Sequence, residues 1–283
     1  MSALKTTAHA VSITAGRLTG RRRMLPSFLI IGAQRCGTTS LYRALAQHPL
    51  MVKPVLRKGV HYFDMAYDRG LSWYRAHFPL RATAARLEHR YGCRPLAFES
   101  SPYYLFHPLA VSRIAWDLPG VKLIVLVRDP VERAYSAHAH ELARGFETEA
   151  SFERAIDLEE ERLAGAAERM RSDPGYVSHA HRHQAYLSRG RYAEQLARLD
   201  LLVGPERLLV LDSGHFFAEP EPAYERVLRF LGLPQLGNPV FERHNARPRA
   251  EMPDSLRRRL SDYFLTWDAL LQPWLGGTPS WRH

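Results

Sequence analysis

Cysteines and long apolar runs are both scarce in this sequence. Its 283 residues include only two cysteines, Cys36 and Cys93, too few for a disulfide-stabilised secreted scaffold. A membrane-spanning helix needs about 20 apolar residues in a row, and the apolar stretch that begins at Phe28 has only strand length. Arginines 21–23 precede it as in a twin-arginine export signal, but Arg35 interrupts it. We therefore expect a cytoplasmic protein with free thiols and no membrane span.

Acidic residues are outnumbered, with 29 Asp and Glu against 39 Lys and Arg, so that the formal net charge is +10. Half of this charge lies in residues 1–25, which contain no acidic residue. Because this segment also lacks apolar periodicity, we expect a disordered basic tail. The aromatic–basic interleaving typical of RNA recognition is absent too. We therefore interpret the charge as a tail plus an anionic cosubstrate, without a nucleic-acid partner.

The stretch from Phe28 to Gln47 has the pattern of a strand, a glycine-bearing loop and a helix. Such a loop presents backbone N–H groups and a helix dipole to a phosphate. Gly32 and Gly37 have the spacing of P-loop glycines, but Thr38 stands where a Walker loop has lysine. The only cation in the loop is Arg35. The pattern predicts a phosphate loop with a displaced cation, unlike that of a P-loop NTPase.

A second strand, Val121–Val127, ends at Arg128, and Pro130 then begins a predicted helix. Ligands of open α/β sheets bind at the carboxyl ends of strands, where Arg128 lies. Ser136 is eight residues further on, about two helical turns, and is expected to face back toward the strand end. A forked guanidinium and a hydroxyl suit a terminal phosphate.

Together these segments resemble sulfotransferases that use 3′-phosphoadenosine 5′-phosphosulfate (PAPS), especially the carbohydrate branch of heparan sulfate type and its bacterial relatives. The first resembles the 5′-phosphosulfate loop, with arginine for lysine, and the second resembles the 3′-phosphate motif. Segments 58–64, 99–104 and 188–192 resemble further family motifs. The resemblance implies that PAPS binds without a metal, through Arg35, Cys36, Gly37, Thr38, Thr39, Ser40, Arg128 and Ser136.

Alternating strands and helices indicate one α/β domain. The predicted strands are Phe28–Ile31, Leu96–Glu99, Val121–Val127 and Leu208–Leu211. We expect a single P-loop-like domain over residues 26–283, with a central parallel sheet and helices on both faces. A hydrophobic content of 46% suffices for one large core.

The resemblance does not extend to the residue that would act as the catalytic base. Carbohydrate members of the family often place a glutamate directly after the lysine equivalent to Lys58, but here this residue is Gly59. His61 and Glu99 are the remaining candidates, and His61 ranks slightly ahead because an imidazole needs no tuning to act near neutral pH, whereas a carboxylate needs its pKa raised by burial. Arg35, with Lys58, is expected to stabilise charge on the leaving group.

Three other groups of charged or titratable residues lie outside these motifs. His179, His181 and His183 have no acidic or cysteine ligand nearby, so we interpret them as a solvated helix face rather than a metal site. We also interpret the three consecutive glutamates at 159–161 as part of a solvated face. A basic C-terminal segment is a candidate to close over the nucleotide, with Arg247, Arg249 and Arg257–Arg259.

The sequence therefore predicts an enzyme that moves a sulfuryl group in line from PAPS to a hydroxyl or amine of a sugar or glycosylated small molecule. A P-loop kinase-like phosphotransferase and a non-catalytic nucleotide-binding module are the alternatives. The acceptor, the choice between O- and N-sulfation and the oligomeric state are not determined by the sequence, because acceptor walls come from loops that diverge freely.

Overall fold

A sheet of five parallel strands forms the centre of the protein, in the order β2-β3-β1-β4-β5. The computed structural model describes residues 16, 19–55, 57–242 and 251–283. The strands are β1 (Phe28–Gly32), β2 (Met51–Val52), β3 (Leu96–Ser100), β4 (Lys122–Val127) and β5 (Leu208–Asp212). This confirms the predicted fold class, and β2 is a strand that the sequence reading missed.

Strand β1 lies in the middle of the sheet, between β3 and β4. Phe28 pairs with Phe98 on one side and with Lys122 on the other. Every residue of β1 is buried, as expected for a parallel sheet covered on both faces. The chain passes from β1 to the edge strand β2, returns to β3 and then crosses over to β4 on the other side of β1. The loop after β1 therefore lies at the point where strand order reverses, the usual ligand crevice of such sheets.

Fifteen α-helices surround this sheet in the described part of the chain. They are α1 (Thr38–Leu45), α2 (Tyr62–Met65), α3 (Leu71–Arg75), α4 (Arg81–Tyr91), α5 (Ala110–Asp117), α6 (Pro130–Leu142), α7 (Phe152–Asp157), α8 (Glu159–Leu163), α9 (Ala166–Ser172), α10 (His179–His183), α11 (Tyr192–Val203), α12 (Ser213–Ala218), α13 (Pro220–Leu231), α14 (Asp254–Ala269) and α15 (Gln272–Leu275).

The sequence pattern predicts single long helices over 152–171 and 178–188, and both predictions are wrong. The first segment forms α7, α8 and α9, and the backbone turns between α8 and α9 at Ala164 and at Gly165, whose φ is +66°. The helix expected over 178–188 is limited to α10, after which the chain enters a 3-10 turn, Ser188–Gly190. These breaks bend the chain so that α10 returns to the carboxyl end of the sheet.

The predicted basic tail lies largely outside the described residues, but its last part is packed on the domain. Gly20–Arg22 is a 3-10 turn, and Arg23 forms a bridge with Leu80. The Arg23 guanidinium donates to the carbonyl oxygen of Phe78 at 2.7 Å. These contacts use backbone acceptors that sequence periodicity does not reveal, so the prediction of disorder is wrong for residues 19–25.

Two other expectations concern cysteines and membrane spans. Both cysteines are free thiols, Cys36 fully buried and Cys93 partly exposed, which confirms that they are unpaired. Within the described part of the chain, each helix is too short or too polar to cross a bilayer.

Candidate active site

A cleft of about 670 Å³ opens at the carboxyl ends of β1, β4 and β5. Both predicted phosphate motifs line it, through Arg35, Gly37, Thr38 and Thr39 on one side and Arg128 and Ser136 on the other. Residues some 90 positions apart in the chain thus share one site, because β1 and β4 are neighbours in the sheet.

The loop between β1 and α1 contains two residues with left-handed backbone conformations and has no space for a side chain at position 37. Arg35 has φ of +71°, a left-handed conformation that is uncommon for residues other than glycine. Gly37 has φ of +87°, and a Cβ added there would lie 2.9 Å from the Phe217 ring. The loop therefore needs glycine at 37, and its conformation aims the N-terminus of α1 into the cleft.

Lys58 supplies a second cation to the phosphate loop from a different segment. Its Nζ donates to Thr39 Oγ1 at 2.9 Å and lies 3.5 Å from Thr38 Oγ1. Burial lowers the pKa of the Lys58 ammonium to about 7, although the charge of Glu99 opposes this. An anion bound in the loop would favour the charged form, so Lys58 is suited to respond to a phosphate-bearing ligand.

The two phosphate motifs are hydrogen-bonded to each other. Arg35 Nε donates to Ser136 Oγ at 3.0 Å, and Arg128 lies 3.5 Å from both the Arg35 carbonyl oxygen and Glu132 Oε2. The side chain of Asp129 caps α6 by accepting from two backbone N–H groups, which fixes the start of the helix that carries Ser136. Predicted binding residues are thereby brought together.

Cys36 and Ser40 are buried, and of the predicted binding residues they are the two that do not line the cleft. Cys36 Sγ is 3.5 Å from the Tyr192 hydroxyl, which in turn donates to the Arg128 carbonyl oxygen at 2.9 Å. Burial raises the pKa of the Cys36 thiol. From these positions, the side chains of Cys36 and Ser40 support the loop from within the protein, and the Cys36 backbone N–H donates to the Ala33 carbonyl oxygen at 3.2 Å.

His61 lines the cleft and forms a dyad with Asp64. Its Nδ1 donates to Asp64 Oδ2 at 2.8 Å, since a carboxylate can only accept. Nε2 is left as the nitrogen for a substrate. Burial lowers the pKa of the imidazole, but the hydrogen bond to Asp64 and the charges of Asp64 and Glu99 raise it, so that the pKa lies above its ordinary value of 6.5. The backbone of His61 is left-handed, with φ of +54°.

Glu99, the second candidate base, is fully buried and surrounded by donors. Its carboxylate accepts from the Val60 backbone N–H, the Ser101 hydroxyl and the hydroxyls of Tyr74 and Tyr104, at 2.7–3.2 Å. Burial raises its pKa, and these hydrogen bonds oppose the rise. The structure therefore places Glu99 beneath the segment that carries Lys58 and His61, where it holds that segment in place.

Gly59 occupies a position without room for a side chain. A Cβ built there would lie 2.4 Å from the Ser100 carbonyl oxygen and 2.9 Å from Ser101 Oγ. A glutamate, the residue that the resemblance implies here, cannot be accommodated on this backbone, because this segment packs closely on β3.

The interpretation of the histidines near 180 as a solvated face is correct only for His179, which is exposed. His181 is buried and its Nδ1 lies 2.7 Å from the Tyr103 hydroxyl, and burial lowers its pKa to about 3. His183 lines the cleft and its Nδ1 donates to the buried Glu141 at 2.9 Å. The helix α10 packs into the site instead of facing solvent.

The glutamate run is likewise only partly solvated. Glu159 is buried and accepts hydrogen bonds from the backbone N–H groups of residues 186–188 at 2.6–2.9 Å. This carboxylate fixes the turn that contains Arg189. The prediction failed here because these partners are nearly 30 residues away in sequence.

Gln34 and Arg189 are site residues that sequence reasoning missed. The Gln34 side chain accepts from Arg189 and donates to Glu141 Oε1 at 3.2 Å. Arg189 is buried, also donates to the carbonyl oxygens of His181 and Arg182, and stacks on Tyr103. Arg189 could have been found from its place within the motif 188–192, but the sequence analysis gave no role to the individual side chains of that motif.

The basic C-terminal segment does not contribute as expected in its described part. Arg258 and Arg259 are exposed. Arg257 donates to Glu132 Oε1 at 2.7 Å, and Glu132 also pairs with Arg128, so Arg257 reaches the site only through another side chain. Arg247 and Arg249 lie outside the described residues.

Charge in the cleft is strongly one-sided. Of the described residues that line it, Asp129 alone is acidic, and six are cationic: Arg35, Lys58, Arg128, Arg144, Arg182 and Arg189. Two of the six, Arg35 and Arg128, belong to the phosphate motifs, and Lys58 bonds to the phosphate loop from a different segment. Among the described residues, no group of three or more His, Cys, Asp or Glu side chains is placed to hold a metal ion.

Comparisons with known proteins agree with this geometry. A search of solved structures finds the crystal structure of a sulfotransferase from Alicyclobacillus acidocaldarius, with a TM-score of 0.67 and 29% identity, over 92% of this chain and all of that one. Human bifunctional heparan sulfate N-deacetylase/N-sulfotransferase 3 is 29% identical over 74% of this chain and 22% of its own length. Mouse heparan sulfate glucosamine 3-O-sulfotransferase 6 is 35% identical over 50% of this chain and 37% of its own.

The chain thus spans well under half the length of these curated relatives. The family model described as the sulfotransferase domain matches residues 25–247. That match contains the β1 loop, the strand and helix of Arg128 and Ser136, and the segment of Lys58 and His61. On this evidence the chain belongs to the sulfotransferase family.

Proposed function

We propose that this protein is a metal-independent sulfotransferase that moves a sulfuryl group from PAPS to a hydroxyl or amine of a sugar or glycosylated molecule. The observation that carries the proposal is the junction of the two phosphate motifs, where Arg35 Nε donates to Ser136 Oγ at 3.0 Å. Both ends of a nucleotide bisphosphate would be held there, in the same cleft as the His61–Asp64 dyad.

On the donor side, Arg128 and Ser136 would bind the 3′-phosphate, and the N-terminus of α1 with Thr38 and Thr39 would bind the 5′-phosphosulfate. Arg35 and Lys58 would stabilise the negative charge that develops on the oxygen that bridges phosphorus and sulfur. Fixed cations at that position stabilise the transition state more than the ground state. Arg35 remains charged throughout, since a guanidinium does not lose its proton in proteins.

On the acceptor side, His61 is the base of this proposal. As its Nε2 takes the acceptor proton, the acceptor oxygen or nitrogen forms a bond to sulfur. The bond from sulfur to the bridging oxygen breaks, and its electrons leave with 3′,5′-adenosine bisphosphate. Asp64 holds the imidazole in the tautomer that leaves Nε2 free and stabilises the imidazolium that forms. Glu99 is the reserve candidate, disfavoured by its burial under four donors.

The acceptor proposal rests on charge and on the relatives. Arg144, Arg182 and Arg189 add positive charge to the lining of the cleft, which suits an acidic acceptor. The curated relatives are named for heparan sulfate, so we include a glycan as the acceptor class. The free cysteines fit a reducing compartment, and we keep a cytoplasmic location as part of the proposal.

A direct test compares nucleotides by calorimetry. The proposal expects tight binding of 3′,5′-adenosine bisphosphate in the presence of a chelator, with weaker binding of ATP and Mg²⁺. The opposite order would favour the kinase-like alternative. Tight binding of the bisphosphate without sulfuryl transfer to any of a panel of desulfated glycans would favour the non-catalytic module.

A further inference from the structure

The last residues of the chain form part of the cleft. Ser280–Arg282 is a 3-10 turn, and both Ser280 and Trp281 line the cleft. These residues lie beyond position 247, where the match to the family model ends. The family resemblance therefore assigns them no role, and no sequence pattern connects them with the site.

Ser280 is anchored at the carboxyl end of β5. Its backbone N–H and its hydroxyl donate to the two carboxylate oxygens of Asp212 at 2.9 and 2.8 Å. Asp212 also caps α12 by accepting from the Gly214 N–H at 2.7 Å. A Cβ added to Gly214 would lie 2.3 Å from Ser280 Oγ, so the turn and α12 are packed as closely as glycine allows.

A second carboxylate fixes the rest of the turn. Asp268, at the end of α14, is buried and accepts from Trp281 Nε1 at 2.9 Å and from Arg282 Nε at 2.7 Å. Arg282 also donates to the Ser261 hydroxyl and carbonyl oxygen. The indole of Trp281 is therefore held in one orientation from outside the cleft, with one part of the ring left to line it.

Phe217 is a second aromatic residue at this end of the cleft. It lines the cleft together with Gly37, Ser213 and Gly214, and its ring packs against Gly37 closely enough to exclude a Cβ there. The rings of Phe217 and Trp281 and the hydroxyls of Ser213 and Ser280 thus lie in the cleft beside the phosphate loop. Aromatic and small polar groups of this kind suit a flat heteroaromatic base.

We propose that the turn Ser280–Arg282 fixes the indole of Trp281 in the cleft and that the purine base of the donor nucleotide stacks on this ring. The inference rests on the proposed use of a PAPS-type donor and names the residue that would recognise its base. The Asp212 and Asp268 contacts orient the indole before the ligand arrives, so little conformational entropy would be lost on binding.

The test uses the full chain and calorimetry with three ligands: 3′,5′-adenosine bisphosphate, the uridine bisphosphate and the same sugar bisphosphate without a base. Stacking on an aromatic side chain is worth enough that Trp281→Ala should weaken binding of the adenosine ligand by roughly 5- to 150-fold. Binding of the base-free ligand should change little, and the preference for adenosine over uridine should shrink. Trp116→Ala, at a tryptophan that is 82% exposed, is the matched control.

A second measurement covers the case in which Trp281→Ala does not fold. Binding of the adenosine ligand should quench tryptophan fluorescence of the wild type, and Trp281→Phe should remove that quenching while keeping most of the affinity. Equal loss for all three ligands, or unchanged quenching in Trp281→Phe, would overturn the inference. Failure of the wild type to bind any bisphosphate would overturn the proposed donor instead, so the two failures are distinguishable.

Discussion

Removal of the His61 imidazole tests the assignment of the base. A positioned general base accelerates a reaction by roughly 10²–10⁴-fold, so His61→Ala should lower kcat within that range. The phosphate motifs do not include His61, and affinity for 3′,5′-adenosine bisphosphate should stay near that of the wild type. His179→Ala, at an exposed histidine, is the control for loss of a histidine from the same protein.

Asp64→Asn tests the same dyad through the pH profile. The pKa of His61 is raised above 6.5 in part by the hydrogen bond to Asp64 and its charge. Because His61 must be neutral to accept a proton, wild-type activity should fall as the pH drops through a value above 6.5. The asparagine variant removes the charge, so this acid limb should move to lower pH. Loss of a charge-assisted hydrogen bond of about 1.5–3 kcal/mol should also lower kcat by roughly 10- to 150-fold.

The assay is the initial rate of sulfuryl transfer over a range of pH, with nucleotide affinity measured alongside. If His61→Ala keeps near-normal kcat and Glu99→Gln is inactive, the role of base passes to Glu99. If both variants are active, the acceptor needs no protein base, and an amine acceptor becomes the better explanation.

Four further predictions concern the donor site and the packing of the segment that carries Lys58. Arg35→Ala should lower turnover far more than affinity for the desulfated nucleotide, because it acts on charge that develops in the transition state; near-normal single-turnover rates would refute this. Arg128→Ala should abolish the preference for 3′,5′-adenosine bisphosphate over 5′-AMP in calorimetry, since each lost charged hydrogen bond costs about 1.5–3 kcal/mol. Gly59→Ala should lower the Tm, because its Cβ would lie 2.4 Å from a carbonyl oxygen; an unchanged Tm would contradict the packing. Since the pKa of Lys58 is about 7, nucleotide binding at pH 8 should take up a proton, seen as a buffer-dependent enthalpy that Lys58→Met removes.

The parts of the site that could be predicted from sequence are those encoded locally. The β1 loop and the start of α6 combine a strand, a turn residue and a helix signal within about ten residues, so Arg35, Arg128 and Ser136 could be placed near one another. Their convergence then followed from the general rule that neighbouring parallel strands end at one edge of the sheet.

The parts that could not be predicted depend on contacts between distant segments. Glu159 looked solvated because its partners are backbone N–H groups of residues 186–188. His183 and Arg189 enter the cleft only because α10 is short and the chain turns back after it. Gly59 has no room for a side chain because it packs on the Ser100 carbonyl oxygen at the end of β3. No local sequence pattern indicates this contact.

The most direct test of the central claim is transfer of labelled sulfate from PAPS to a panel of glycan acceptors, with a chelator present and Arg35→Ala as the control. The account predicts label in an acceptor, release of 3′,5′-adenosine bisphosphate in equal amount, and strongly reduced transfer by the variant. Phosphate transfer from ATP with Mg²⁺ by a preparation that leaves PAPS intact would contradict it.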